Sequence, residues 1–97
     1  MSEPLFAIIA RDAADTADAR AKHREGHLAH FKAHADMIAV AGPLSGAGSG
    51  SLVIYRAANE DQARAFIEAD PFNVAGVWDE IEIFAFRAGA GDWVPRD

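Results

Sequence analysis

Ninety-seven residues allow one domain with a single core, and a composition 51% hydrophobic and 25% charged belongs to a folded chain rather than a disordered one. Fifteen acids against nine bases give a formal charge of −6, with the arginines scattered, so nucleic acid is excluded as the main partner. With no cysteine there is neither a disulfide framework nor a thiolate metal site, which suits a reducing compartment.

The first residues, MSEPLFAIIARD, lack the basic start and long apolar run of a signal peptide. The run Leu5 to Ala10 is far too short to span a membrane. A soluble, cytoplasmic protein is expected. Leu5 to Arg11 is rich in strand formers and bounded by Pro4 and Asp12, which predicts a strand buried on both faces. From Thr16 to about Asp36 the chain is Ala-rich, with Leu28, Phe31 and Ala35 continuing at helical spacing a stripe begun by Ala17, Ala21 and Arg24. This predicts one amphipathic helix with Leu28, Phe31 and Ala35 toward the core. Gly26 weakens that helix by about 1 kcal/mol against Ala, so a kink or a close helix approach is expected there.

Met37 to Pro43 (MIAVAGP) predicts a second strand, Leu44 to Gly50 (LSGAGSG) a loop, and Ser51 to Ala57 (SLVIYRA) a third strand. Asn59 followed by Gln62 opens a second helix that buries Ala63, Phe66 and Ile67 and stops before Pro71. Val77 to Phe86 reads as the last strand, and residues 88–97 as a Gly-rich, flexible tail. The order strand, helix, strand, strand, helix, strand predicts an α+β, ferredoxin-like βαββαβ domain spanning 1–97 with its core at 5–87. Its four-stranded antiparallel sheet carries both helices on one face. Ile38, Val40, Val53, Tyr55, Phe84 and Phe86 offer more apolar surface than two short helices cover, so the open face is expected to form a homodimer.

All four histidines, His23, His27, His30 and His34, fall in "HREGHLAHFKAH" and share a helical stripe about 60° wide beside the core face. The i, i+4 pairs suit zinc, but no HExxH occurs, Glu25 points to the far side, and a third ligand must come from elsewhere; no metal is expected. His23, His30 and His34 read as solvated surface. His27 differs because antiparallel helices bring the end of the second one beside it. Asp70 closes the apolar stripe Ala63, Phe66, Ile67, at what the pattern makes a helix C-terminus, where a carboxylate needs a partner or a proton. Its alternative is a simple cap on the turn into Asp-Pro-Phe.

These pieces in this order resemble the YCII-related (YciI-like) family: "REGHLAHF", a strand ending "AGP", a Gly/Ser loop, "GS", and "ADPFNVAGVWDEIEIFAF", from Leu5 to about Phe86. The resemblance implies a fold of the dimeric α+β barrel type and an active-site pair made of His27 and Asp70. By the same resemblance Arg24, Gly42, Pro43 and Ser51 line the pocket, and the Gly/Ser loop is compact for the pattern. The few members with assigned chemistry resemble dehydrochlorinase or isomerase-like enzymes acting on hydroxylated aromatic ring products. With no cofactor motif and no thiol, the chain is expected to need no cofactor and to do acid/base work: isomerisation, elimination or lactone chemistry on a small molecule. A serine hydrolase does not fit, since "GAGSGS" contains no Gly-x-Ser-x-Gly elbow around Ser51. The competing expectation is a ligand-binding or accessory domain in which the His–Asp pair only rivets two helices together.

Overall fold

The computed structural model describes residues 4–94. Along the chain run β1 (Leu5–Asp12), α1 (Ala17–Ala33), β2 (Ile38–Leu44), β3 (Gly50–Arg56), α2 (Glu60–Glu68), α3 (Pro71–Val74) and β4 (Trp78–Phe86). A short 3-10 turn, Ala35–Met37, joins α1 to β2. The strands form one antiparallel sheet in the order β2-β3-β1-β4, which is the ferredoxin-like plan. Among the described residues no helix is long and apolar enough to cross a membrane. Residues 87–94 carry neither helix nor strand, and Trp93 is exposed. The remainder of the predicted tail, 95–97, and the start of the predicted domain, 1–3, lie outside the described residues.

Alternation along the strands divides the sheet into two unlike faces. In β1 Phe6, Ile8 and Ala10 are buried under the helices, while Leu5, Ala7 and Ile9 are only half-buried on the other side. The expected burial on both faces is therefore corrected, because helices cover only one. Register corrects the open face as well. Val53 and Tyr55 belong to the core, and Ile38, paired with Tyr55, packs against it; Val40, Phe84 and Phe86 remain outside. The register puts Val40, Ile54, Ala7 and Phe84 in one row across all four strands. Burial, with the Asp36 carboxylate adding to it, pushes the Tyr55 hydroxyl above its ordinary pKa, so the ring stays neutral inside the core.

The second helix starts as its sequence demands. Gln62 N–H donates to the Asn59 side chain at 3.0 Å, and the Gln62 side chain accepts from Ala58 N–H at 3.0 Å. Ala63, Phe66 and Ile67 are buried. Asp70 has the extended ψ of 135° that a residue before proline prefers, so α2 ends and the chain turns. The next four residues form α3, a short helix where the sequence pattern predicts no element. Pro71 is its first residue and Asp70 its N-cap, so Asp70 sits at a helix start and not at the C-terminus that the pattern implies.

The first helix departs further from its expected role. None of its residues is fully buried, Leu28 is 50% exposed, and Ala35 lies beyond the helix and is exposed. Only Phe31 of the expected core stripe packs against the core, and it is half-buried. The reason is tertiary: α1 leans mainly on α3, so a gap separates part of its apolar stripe from β2 and β3. Gly26 makes this lean possible, since a Cβ there would stand 3.2 Å from Pro71 Cγ. The close helix approach expected at Gly26 is thus present.

Candidate active site

The gap between α1 and the sheet is a pocket of about 270 Å3, lined by Arg20, Arg24, His27, Leu28, Phe31, Ala41, Gly42, Pro43, Ser51 and Phe72. α1 supplies one wall, the end of β2 with Ser51 of β3 the opposite wall, and Phe72 of α3 one end. All of the sequence-predicted binding positions, Arg24, Gly42, Pro43 and Ser51, come together on it, as does His27. Asp70 does not line it; the carboxylate is wholly buried behind the imidazole.

His27 Nδ1 lies 2.8 Å from Asp70 Oδ2 and 3.0 Å from Oδ1. An ionised carboxylate only accepts, so Nδ1 carries the hydrogen and the lone pair of the neutral ring sits on Nε2. Asp70 Oδ1 also accepts from Phe72 N–H at 2.8 Å, which pins the carboxylate to the start of α3. The cap reading and the partner reading of Asp70 therefore describe the same side chain. Above and below, the imidazole is held by aromatic rings. It stacks on Phe72 with centroids 4.0 Å apart and 6° between planes, and Phe31 leans on it at 4.5 Å. Its side chain is 12% exposed, and among the described residues Nε2 has no hydrogen-bond partner. Nε2 is also not sealed, because among the described residues the only buried side-chain nitrogen or oxygen without a partner is Trp78 Nε1.

The remaining histidines divide. His30 Nε2–H donates to the Phe66 carbonyl at 2.7 Å and stacks on the Phe66 ring, while His34 Nδ1–H donates back to the His30 carbonyl at 2.9 Å. Both are half-buried, as is His23, which corrects the reading of all three as solvated residues. For His30 and His34 the cause is the last turn of α2, where a carbonyl lacks an intrahelical partner and takes one from α1. Among the described residues no three His, Cys, Asp or Glu side chains lie close enough together to share a metal ion.

Sequence reasoning missed Arg20, Leu28, Phe31, Ala41 and Phe72 as pocket walls. For Arg20 a signal existed, since it lies seven residues before His27 and so on the same helical stripe. Its guanidinium is fixed by two 3.2 Å hydrogen bonds to Asp12 and sits 5.0 Å from the Phe72 centroid. Arg24 makes no ion pair among the described residues. The pocket thus holds two cations and no carboxylate in a chain of net charge −6.

The sequence pattern of the YCII-related domain matches residues 4–87. The chain belongs to the YCII-related family. Protein YciI of Escherichia coli O6:H1 and that of Shigella flexneri are each 31% identical to this YCII domain over 94 residues, a match covering 86% of this chain and 96% of theirs. Among solved structures it is similar to the 5-chloro-2-hydroxyhydroquinone dehydrochlorinase TftG of Burkholderia phenoliruptrix AC1100, in complex with 2,5-dihydroxybenzoquinone. That likeness has a TM-score of 0.81 at 30% identity and covers 88% of this chain and 95% of the other. The ferredoxin-like fold read from element order is therefore shared with a YciI-like enzyme.

Proposed function

We propose that this YCII domain is a small cofactor-independent enzyme that moves a proton on a hydroxylated, aromatic-derived ring, with His27 as general acid/base and Asp70 as its orienter. One observation carries the reading: both oxygens of a buried carboxylate hold Nδ1, while His27 itself lines the pocket. Asp70 fixes the tautomer and stabilises the imidazolium that forms when Nε2 takes a proton. In an elimination, Nε2 would take the proton of a ring hydroxyl and the imidazolium would deliver it to the ring carbon bearing the leaving group, giving the keto tautomer with a C=O and a saturated carbon. Nε2 would then take the proton of a second ring hydroxyl, whose O–H electrons form a second C=O. The ring π electrons shift, the leaving group departs from the saturated carbon with the electrons of its own bond, and the imidazolium returns its proton to solvent. The general-base contribution is on the order of 10² to 10⁴-fold.

The binding roles follow from charge and place. Arg24, which makes no ion pair among the described residues, holds an oxyanion of the substrate; Ser51 supplies a hydroxyl from the wall opposite α1, beside Gly42 and Pro43. Phe31 and Phe72, which pack on His27 and also line the pocket, give it aromatic surface that suits a planar ring. The similarity to a dehydrochlorinase of a chlorinated hydroxyhydroquinone supports the same substrate class. A second copy of the chain covers the open sheet face, where Phe84 is 50% and Phe86 43% exposed beside the Val40–Ile54–Ala7–Phe84 row.

The test is turnover of chlorinated and unchlorinated hydroxyhydroquinones, with binding of 2,5-dihydroxybenzoquinone measured in parallel. His27→Gln should lower turnover about 10² to 10⁴-fold while the variant still binds the quinone. Turnover unchanged in that variant removes His27 as the base. The non-catalytic reading has its own support, because His27 and His30 do tie α1 to the α2–α3 corner. Tight quinone binding with no turnover of any such ring would favour it.

A further inference from the structure

Beyond Arg20 and Pro43 the pocket does not end. A second hollow, about 610 Å3, shares those two residues as its near wall and extends along Ala13, Ala14 and Ala17 to Leu44 and Gly50. We propose that the two hollows are one cleft, and that the second receives an uncharged aliphatic arm carried by the substrate ring. This rests on the reading that the first hollow binds a hydroxylated ring.

Three features shape the second hollow. The ridge between the two is rigid: Arg20 is clamped by Asp12 at 3.2 Å through both Nε and Nη2, and Pro43 faces it with a fixed ring. Gly50 lines the hollow without a side chain, and β1 enforces this, since a Cβ there would meet the Ala10 carbonyl oxygen. The β2–β3 connection leaves the hollow open to solvent: a Cβ on Gly46 or Gly48 would meet nothing within 4 Å, while Ser49 lines the hollow and its carbonyl accepts from Asp12 N–H at 2.9 Å.

The lining selects the arm. Alanines 13, 14 and 17 with Leu44 and Pro43 give short apolar walls. The nearest cation, Arg20, is already neutralised by Asp12, and the Thr16 hydroxyl donates to its own turn at the Ala13 carbonyl. Asp15, which also lines the hollow, has no ion-pair partner among the described residues. An anionic arm would meet that carboxylate and find no free cation; an alkyl arm meets methyl groups.

The experiment compares equilibrium binding of 2,5-dihydroxybenzoquinone, its 3-butyl derivative and its 3-(3-carboxypropyl) derivative. A fully buried methylene is worth about fourfold in affinity, so a butyl arm half-covered in an open hollow should bind about tenfold tighter than the parent. The carboxypropyl compound should gain nothing. Ala17→Trp, and separately Leu44→Trp, fill the hollow and should bring the butyl-to-parent ratio near one. The proposal is overturned if butyl and parent bind alike, if the carboxylate arm gains as much as butyl, or if the ratio survives in both filled variants. A wild-type protein that binds none of the three compounds overturns this proposal together with the reading of the first hollow. Parent binding without an arm effect overturns this one alone.

Discussion

Asp70 makes three hydrogen bonds with two oxygens while fully buried, two to His27 and one to Phe72 N–H. A carboxylate so placed is stable only while every partner stays, since an unpaired buried charge costs several kcal/mol. The two available substitutions therefore separate its duties. Asp70→Asn keeps an oxygen for Phe72 N–H but loses the charge that stabilises an imidazolium, so turnover should fall about 10²-fold or more with the fold intact. Asp70→Ala removes the cap as well and should cost about 3 kcal/mol in chemical denaturation, more than the Asn variant. Equal stability losses in the two variants would show that the cap contributes nothing.

At the scale of elements the decisive contact is α1 on α3. Because α1 leans mainly on a four-residue helix rather than on the sheet, its apolar residues Leu28 and Phe31 became pocket walls. Gly26 sets the spacing. Ala at this position gains about 1 kcal/mol of helix propensity but presses on the Pro71 ring at 3.2 Å, so the two effects nearly cancel. Gly26→Val adds two methyl groups to a Cβ that would already stand 3.2 Å from the Pro71 ring, and should destabilise by about 1–3 kcal/mol. It should also weaken quinone binding, since moving α1 off α3 shifts His27 with it. A Gly26→Val protein as stable as wild type, by thermal and urea unfolding, would mean the helices have room to separate.

For the whole molecule the open question of surface is the uncovered sheet face. Its apolar band runs across all four strands and is edged by charge at one end, where Arg11 pairs with Glu82 at 2.9 Å. Ile54 lies in the middle of that band and outside the core. Ile54→Lys should therefore leave the fold unchanged by circular dichroism and convert a dimer into a monomer in analytical ultracentrifugation. A wild-type chain that sediments as a monomer at micromolar concentration would instead leave the band without a second copy.

Strand and helix order was legible in the sequence because it depends on local periodicity and punctuation: alternation in β1 and β3, the Asn59 cap, the stop at Asp70-Pro71. The proximity of His27 and Asp70 was legible too, since a ferredoxin-like order leaves the end of α2 beside the middle of α1. What no local pattern contains is which neighbour an amphipathic helix chooses. The stripe Leu28, Phe31, Ala35 announced an apolar face but not that α3 would hold the helix away from the sheet. Burial of His30 and His34 was hidden for a similar reason, because the bonding need of an α2 carbonyl is met by residues some 36 positions away. Hydrophobic spacing determined which faces had to be covered; only tertiary packing decided what covered them, and where the covering failed a pocket formed.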